Sequence, residues 1–370
     1  MKFSAPSNEL QKVLGLVASV VPSKSTLPIL ENFLFEISRS TLTITATDLD
    51  TSISTSISVK NVSEGVIAVP AKRFSETVRS LPNTDIEFSA DVANNKIVMK
   101  TGTGEYKLTG ESSENFPTLP TFEGTSSLKM DGKIFRRLIE KTSFAVSSDE
   151  LRPAMTGILF QMKKKEIRTV ATDGHRLVKF INTSFSSPGE REVIIPAKAV
   201  NIVAKSVTDD DLSMMFDDHH VKFTLGGTTI VSRLVDEKYP NYESVIPTDN
   251  AKNATVDKQL LLSSVRRAAL YASSTNHQVR FSLKKGSMTV SAEDIDFGSE
   301  ARETIPCDYS SEQMEIGFNS TYVTDILSHI DTDEVTFQLS SATRAAIVSP
   351  VTQRDGEQLL MLIMPVRLNS

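Results

Sequence analysis

The chain has 370 residues, a net charge of −6, 39% apolar residues and no tryptophan; the length suits two or three domains of roughly 100–200 residues with ordinary cores. A single cysteine, Cys307, excludes an intrachain disulfide and a cysteine-based zinc site, and suits a reducing compartment. The negative sum argues against a nucleic-acid partner, and the longest apolar run, LLMLIMPV at 359–366, is too short to span a bilayer.

The first residues, MKFSAPSNELQK, carry Glu9 and Lys12 where a secretory signal would place an unbroken apolar run, so a cytoplasmic location is expected. Behind Ser7, a candidate N-cap, Leu10, Val13, Leu14 and Val17 fall at helical spacing. LTITAT and STSISV alternate as strands do, and a second helix is predicted from Ala71 after Pro70. Strands follow, with a tight turn at GTG (102–104). Helices are then predicted over DGKIFRRLIEKTSFAVS (131–147) and AKAVNIVAKSV (197–207), with turns at KKK (163–165) and GG (226–227). The last pair is DKQLLLSSVRRAALYA (257–272) and NSTYVTDILSHID (319–331). Two helices and several antiparallel strands per unit predict an α+β fold, with the helices on one face of each sheet.

The chain repeats itself. VIAVPAKRFSETVRSL (66–81) returns as EVIIPAKAVNIVAKSV (192–207), TATDLDTSI (45–53) as VATDGHRLV (170–178), and LPILENFLF (27–35) as RPAMTGILF (152–160). A fainter third copy places MTVSAEDIDFGSE (288–300) and MEIGFNSTYVTDILSHI (314–330) in the corresponding order. Shifts of roughly 120–126 residues are domain-sized rather than solenoid-sized. Three similar domains are expected near 1–124, 125–248 and 249–370, joined by TFEGTSS (121–127) and PTDNAKN (247–253).

Charge is unevenly distributed over this plan. The six predicted helices together carry +6, which leaves −12 for the remainder. Lys133, Arg137 and Lys141 follow one another at intervals of four, opposite the apolar Phe135, Leu138 and Ile139. Basic helices against an acidic remainder point to a polyanion passing the helices, because Lys and Arg release counterions from phosphates irrespective of sequence.

VATDGHRLV places Asp173, His175 and Arg176 in a row. A nucleophilic relay needs a Ser or Cys within reach of the histidine, and no Gly-x-Ser-x-Gly motif is present. A metal site needs more ligands; the other cluster, Asp217-Asp218-His219-His220, reads as a hairpin tip. No phosphate-binding Gly-x-x-x-x-Gly-Lys loop occurs. No metal or cofactor is expected. A hydrolase or metal-dependent enzyme using Asp173 and His175 stays open as an alternative to a non-enzymatic role, and a monomeric peptide-binding scaffold as a third reading.

STLPILENFLF, VPAKRF, ENFPTLP, RTVATDGHRL, KYPNYESVIP and the terminal MPVRL resemble, over the whole chain, the bacterial sliding-clamp family, the beta subunit of DNA polymerase III. The resemblance implies a non-enzymatic accessory subunit: a head-to-tail homodimeric ring around double-stranded DNA, with sheets outside and helices inside. It implies DNA-facing roles for Lys24, Arg73, Lys198, Arg137, Lys141 and Arg266. It further implies a cleft for short apolar peptides of the polymerase alpha subunit, the clamp loader and other proteins. Its walls would be Met155, Thr172, Gly174, His175, Arg176, Leu177, Pro240 and Val245 on one side. Asn319, Tyr322, Thr343, Leu362, Ile363, Met364, Pro365, Val366 and Arg367 would close it. The subunit contact would use Tyr106 and Leu108 against Leu270, Tyr271, Glu300 and Glu303. Asp149, Pro153 and Ala154 stand where better-known members have Gln and an aromatic pair, and Ser244 where several have Arg.

Overall fold

The computed structural model describes residues 1–120, 122, 127–208 and 212–368. The expected joint TFEGTSS therefore lies, except for Phe122 and Ser127, outside the described residues.

The chain opens with β1 (Lys2–Pro6), α1 (Ser7–Val17), β2 (Asn32–Ser38), β3 (Thr41–Thr47), β4 (Thr51–Ser58), β5 (Lys60–Ser63) and β6 (Gly65–Pro70). It continues through α2 (Ala71–Ser80), β7 (Asp85–Asp91), β8 (Lys96–Lys100) and β9 (Glu105–Thr109). The second series is β10 (Ser127–Met130), α3 (Gly132–Thr142), the one-turn α4 (Pro153–Thr156), β11 (Gly157–Lys163), β12 (Glu166–Thr172) and β13 (Arg176–Asn182). After it come β14 (Arg191–Pro196), α5 (Ala197–Ser206), β15 (Leu212–Phe216), β16 (His220–Leu225) and β17 (Thr228–Arg233). The third comprises β18 (Lys252–Asp257), α6 (Lys258–Ala269), β19 (Gln278–Lys284), β20 (Ser287–Asp294), β21 (Ser299–Pro306) and β22 (Met314–Asn319). It ends with α7 (Ser320–Ser328), β23 (Glu334–Leu339), β24 (Ala346–Pro350) and β25 (Glu357–Ile363).

Apart from β5 and α4, each series runs strand, helix, three strands, strand, helix, three strands. The triplication is thus carried by architecture, including the third copy whose sequence is faint. Its turn chemistry repeats as well. At the end of β3, Asp48 Oδ1 accepts from the amides of Asp50 and Thr51. At the end of β12, Asp173 Oδ1 accepts from the amides of His175 and Arg176, and at the end of β20 Asp294 Oδ1 accepts from those of Asp296 and Phe297. An aspartate that bonds backbone amides two and three residues on closes a turn by itself, which explains why ATD recurs.

Among the described residues all strand pairings are antiparallel, in four sheets ordered β5-β1-β7-β8-β9, β10-β15-β16-β17-β4-β3-β2-β6, β14-β11-β12-β13-β25-β24-β23-β18 and β21-β20-β19-β22. The two large sheets each join two repeats: β4 pairs with β17 from Thr55↔Thr228 to Thr51↔Ser232, and β13 with β25 from Arg176↔Ile363 to Asn182↔Glu357. Compactness divides the chain into two units. The first holds residues 1–133 and 198–234, the second 134–197 and 235 onward.

In the first unit, α2 buries Phe74 and Val78, spaced one helical turn apart, and Phe74 meets Phe35 edge-on with centroids 5.3 Å apart. Each such side chain contributes about 1.5–3 kcal/mol by leaving water. Ser7 is not a cap: α1 begins at Ser7 itself, whose buried hydroxyl donates to Pro82 O and accepts from Thr84 N. In the second unit Phe281, Phe318 and Phe337 pack together. Real caps there are Asp257, accepting from Leu260 N before α6, and Asn319, accepting from Thr321 N before α7. The second expected joint is shorter than PTDNAKN, because Lys252 and Asn253 already pair in β18.

Candidate functional site

Within the second unit, five segments converge on one cleft of about 540 Å³. The β12–β13 turn contributes Thr172, Gly174, Arg176 and Leu177, and α4 contributes Met155. Pro240 to Thr248 form a third wall (Glu243 excepted), Thr343 to Ala345 a fourth, and Leu362 with Met364 complete the lining. Beneath lies a buried cluster of Leu159, Val170, Leu177, Ile194, Tyr239, Tyr242, Ala345 and Leu362. Gly174 has φ +89°, a conformation that a side chain would strain.

The structure brings together ten of the residues expected in the cleft, Met155, Thr172, Gly174, Arg176, Leu177, Pro240, Val245, Thr343, Leu362 and Met364, and places Ser244 beside them. Other expected members have different work. Ile363 is fully buried in the sheet, Asn319 caps α7, and Val366 N donates to Gly317 O. His175, Tyr322, Pro365 and Arg367 are not part of the lining. Asn241, Tyr242, Ile246, Pro247, Thr248, Arg344 and Ala345 were missed; for Tyr242 to Pro247 the signal was the Pro-rich run KYPNYESVIP itself.

The Asp173–His175 pair is not arranged for catalysis. Asp173 spends its carboxylate on two amides and on Arg176 Nε at 3.1 Å, while the His175 ring stacks 5.9 Å from Tyr322. Arg176, only 8% exposed, also donates to Asp325 and to Phe144 O at 2.7 Å, with its guanidinium over both Phe144 and Tyr322. Arg176 thereby fastens the β12–β13 turn to α7. Burial pushes the Cys307 thiol up to about 11, far from a nucleophile's range. Among the described residues no group of three metal-ligating side chains occurs, and Asp217–His219 form the β15–β16 turn.

The basic residues divide. Lys24 and Arg73 are exposed in the first unit, as is Arg266 in the second. Lys198, half-exposed, pairs with Asp48. Lys141 and Arg137 do not meet the expectation of facing a phosphate. Lys141 is 1% exposed, and its ammonium donates to His329 O at 2.6 Å and Asp331 at 2.7 Å. Arg137 donates to both oxygens of Glu357 at 2.9 and 3.0 Å and to Asp331. Both cations are committed inside the chain.

Of the expected contact residues, Tyr106 and Leu108 are half-buried on β9, the last strand of the first sheet. Leu270 and Tyr271 are exposed after α6, and Ile295 and Phe297 are exposed in the β20–β21 turn. Glu300 is exposed on β21, itself a sheet edge. Glu303 is partnered at home: hydrogen bonds from Arg267 and Ser264 hold its carboxyl down at about 2. Of the positions where better-known members have Gln and an aromatic pair, Asp149 accepts from Leu151 N and Arg152 Nε, Pro153 begins α4, and Ala154 packs on the buried cluster. No helix among the described residues is long and apolar enough to cross a membrane.

Three family models match the chain: DNA polymerase III beta subunit, N-terminal domain, over residues 1–120, central domain over 129–241, and C-terminal domain over 243–367. The chain is 32% identical over 372 residues to the beta sliding clamp of Pseudomonas aeruginosa and 31% identical over 382 to that of Synechococcus elongatus, with 100% of each chain covered. Among solved structures it is similar to a sliding clamp from Pseudomonas aeruginosa bound to griselimycin, with TM-score 0.92 and 31% identity. A clamp from Bartonella birtlesii bound to griselimycin gives TM-score 0.93 and 30% identity; both comparisons cover 100% of each chain.

Proposed function

The chain belongs to the DNA polymerase III beta-subunit family, and from that premise we propose that it is a sliding clamp. Two copies close head to tail into a ring around duplex DNA and tether the replicative polymerase and other DNA-processing proteins to it. The subunit is an accessory factor and catalyses nothing itself. It works in the cytoplasm, and its three domains span 1–124, 125–248 and 249–370.

One observation carries the ring. Each repeat meets the next through the same pair of strands, β4 with β17 and β13 with β25. The corresponding pair at the third junction is β21 with β9, and both are unpaired edges of their sheets. Exposed edges invite strand addition, so a second copy supplies what one chain lacks. Leu270, Tyr271 and Glu300 of one copy then face Tyr106 and Leu108 of the other.

Twelve helices lining such a ring, spaced roughly 9 Å apart, make a circle about 35 Å across. Removing one helix width of about 10 Å leaves room for a duplex and a layer of water. Lys24, Arg73, Lys198 and Arg266 attract phosphate diffusely, which permits sliding where base-specific contacts would arrest it. Retention follows from topology rather than affinity. The cleft takes short apolar segments of the polymerase alpha subunit, the clamp loader and other partners, its Leu and Met side chains giving an adaptable floor. Sedimentation equilibrium tests the assembly: twice the chain mass is expected for the native protein and the single mass for Leu270→Lys. A native monomer at micromolar concentration overturns the ring.

A further inference from the structure

Among the described residues the lining of the cleft contains no acidic residue, and its charged members are Arg176 and Arg344. Arg176 is closed to newcomers, being buried and bonded to Asp173, Asp325 and Phe144 O. Arg344 is open: its side chain is 48% exposed, and among the described residues its acceptor is Asp249, at 2.6 Å and itself 58% exposed. The loop that carries Arg344 is held in place, because Asn250 Nδ2 donates to both Gln338 O and Ala345 O at 2.9 Å. Elsewhere on the walls, Ser244 turns its hydroxyl back to Asn241 O at 2.7 Å and brings no charge. Arg152 stands close to Gly174, but it is paired with Asp149 and is not part of the lining.

We propose that Arg344 sets the specificity of this cleft, selecting peptides that carry an aspartate or glutamate among their apolar anchors. The assignment rests on the reading of the cleft as a peptide site. A carboxylate on the peptide takes the place of the Asp249 carboxylate at the guanidinium. Because the resident pair is solvated on both sides, giving it up costs little, and a ligand carboxylate that arrives with buried apolar neighbours is screened less than Asp249. Two parallel N–H donors also favour a carboxylate over a neutral amide.

Fluorescence anisotropy on the full-length protein tests this with labelled hexapeptides of Leu, Phe and Ser. Each position is made in turn Asp or its isostere Asn. At one position or more, the Asp peptide is expected to bind about two- to fivefold more tightly at low ionic strength. The preference should vanish in Arg344→Gln, persist in Arg152→Gln and grow in Asp249→Asn. An Asp preference that survives Arg344→Gln, or none at any position in the native protein, overturns the assignment while leaving the peptide cleft intact. If no hexapeptide binds at all, the peptide reading fails and takes the assignment with it.

Discussion

Replacing Asp331 by Ala tests the claim that Lys141 and Arg137 are structural cations. The Asp331 carboxylate receives Lys141 Nζ at 2.7 Å, Arg137 Nη2, and Arg354 Nε at 3.5 Å. Removing it leaves Lys141, 1% exposed, with His329 O and the more distant Glu140 at 3.5 Å. Breaking a buried pair from one side costs about 3–5 kcal/mol. Asp331 is 31% exposed and Arg137 keeps Glu357, so a loss of about 3 kcal/mol is expected, the lower end of that range. Urea unfolding would measure it, with amide exchange in α3 reporting the second unit. Adding Lys141→Met should recover most of the loss, since the unpaired charge is then gone. A cost below about 1 kcal/mol, the range of an exposed pair, or a double variant no better than the single, would refute the reasoning.

Acid should act on the same cluster. Burial raises the Asp331 pKa, but hydrogen bonds from Arg137 and Lys141 outweigh it and bring it from 3.8 down to about 2. A depressed carboxyl stabilises fully above its unfolded value and loses that stability as pH falls toward the folded one, here about 2 kcal/mol lost between about pH 4 and pH 2; Asp331→Asn should flatten that part of the pH–stability curve. Asp173→Ala removes two turn bonds and one Arg176 partner, and a loss of about 2–3 kcal/mol is expected from thermal unfolding. Lys24→Ala and Arg73→Ala should each lower the salt slope of DNA binding by about 1, whereas Lys141→Met should leave it unchanged. Val245→Asp, in the cleft wall, should abolish hexapeptide binding in anisotropy without altering the sedimenting mass.

Much of the fold was legible because its signals are local. The GTG, KKK and GG hairpin tips and the apolar faces of the helices each depend on residues a few positions apart. What was not legible depends on distant partners. Lys133, Arg137 and Lys141 read as one basic ladder, yet Lys141 meets an aspartate 190 residues away and Arg137 a glutamate 220 away. A helical wheel gives the face of a cation and not what covers it. Ser7 failed as a cap for the same reason, since Pro82 and Thr84 claim its hydroxyl. Of the cleft, the turn and the C-terminal strand could be read from motif and resemblance; Arg344 could not, because nothing in SSATRAA distinguishes a wall residue from a loop tip. Strand alternation likewise reports half-burial and says nothing about which strand is a neighbour, so the open edges of β9 and β21 emerge only from the sheet order.

Topological retention is the most direct measurement. The protein is loaded onto a nicked circular plasmid by a clamp loader, isolated on it by gel filtration, and the plasmid is then cut once with a restriction enzyme. A closed ring stays on the circle through high salt and is lost from the ends within minutes of cutting. Protein that remains on the linear DNA at the same salt would show that affinity, not encirclement, holds it.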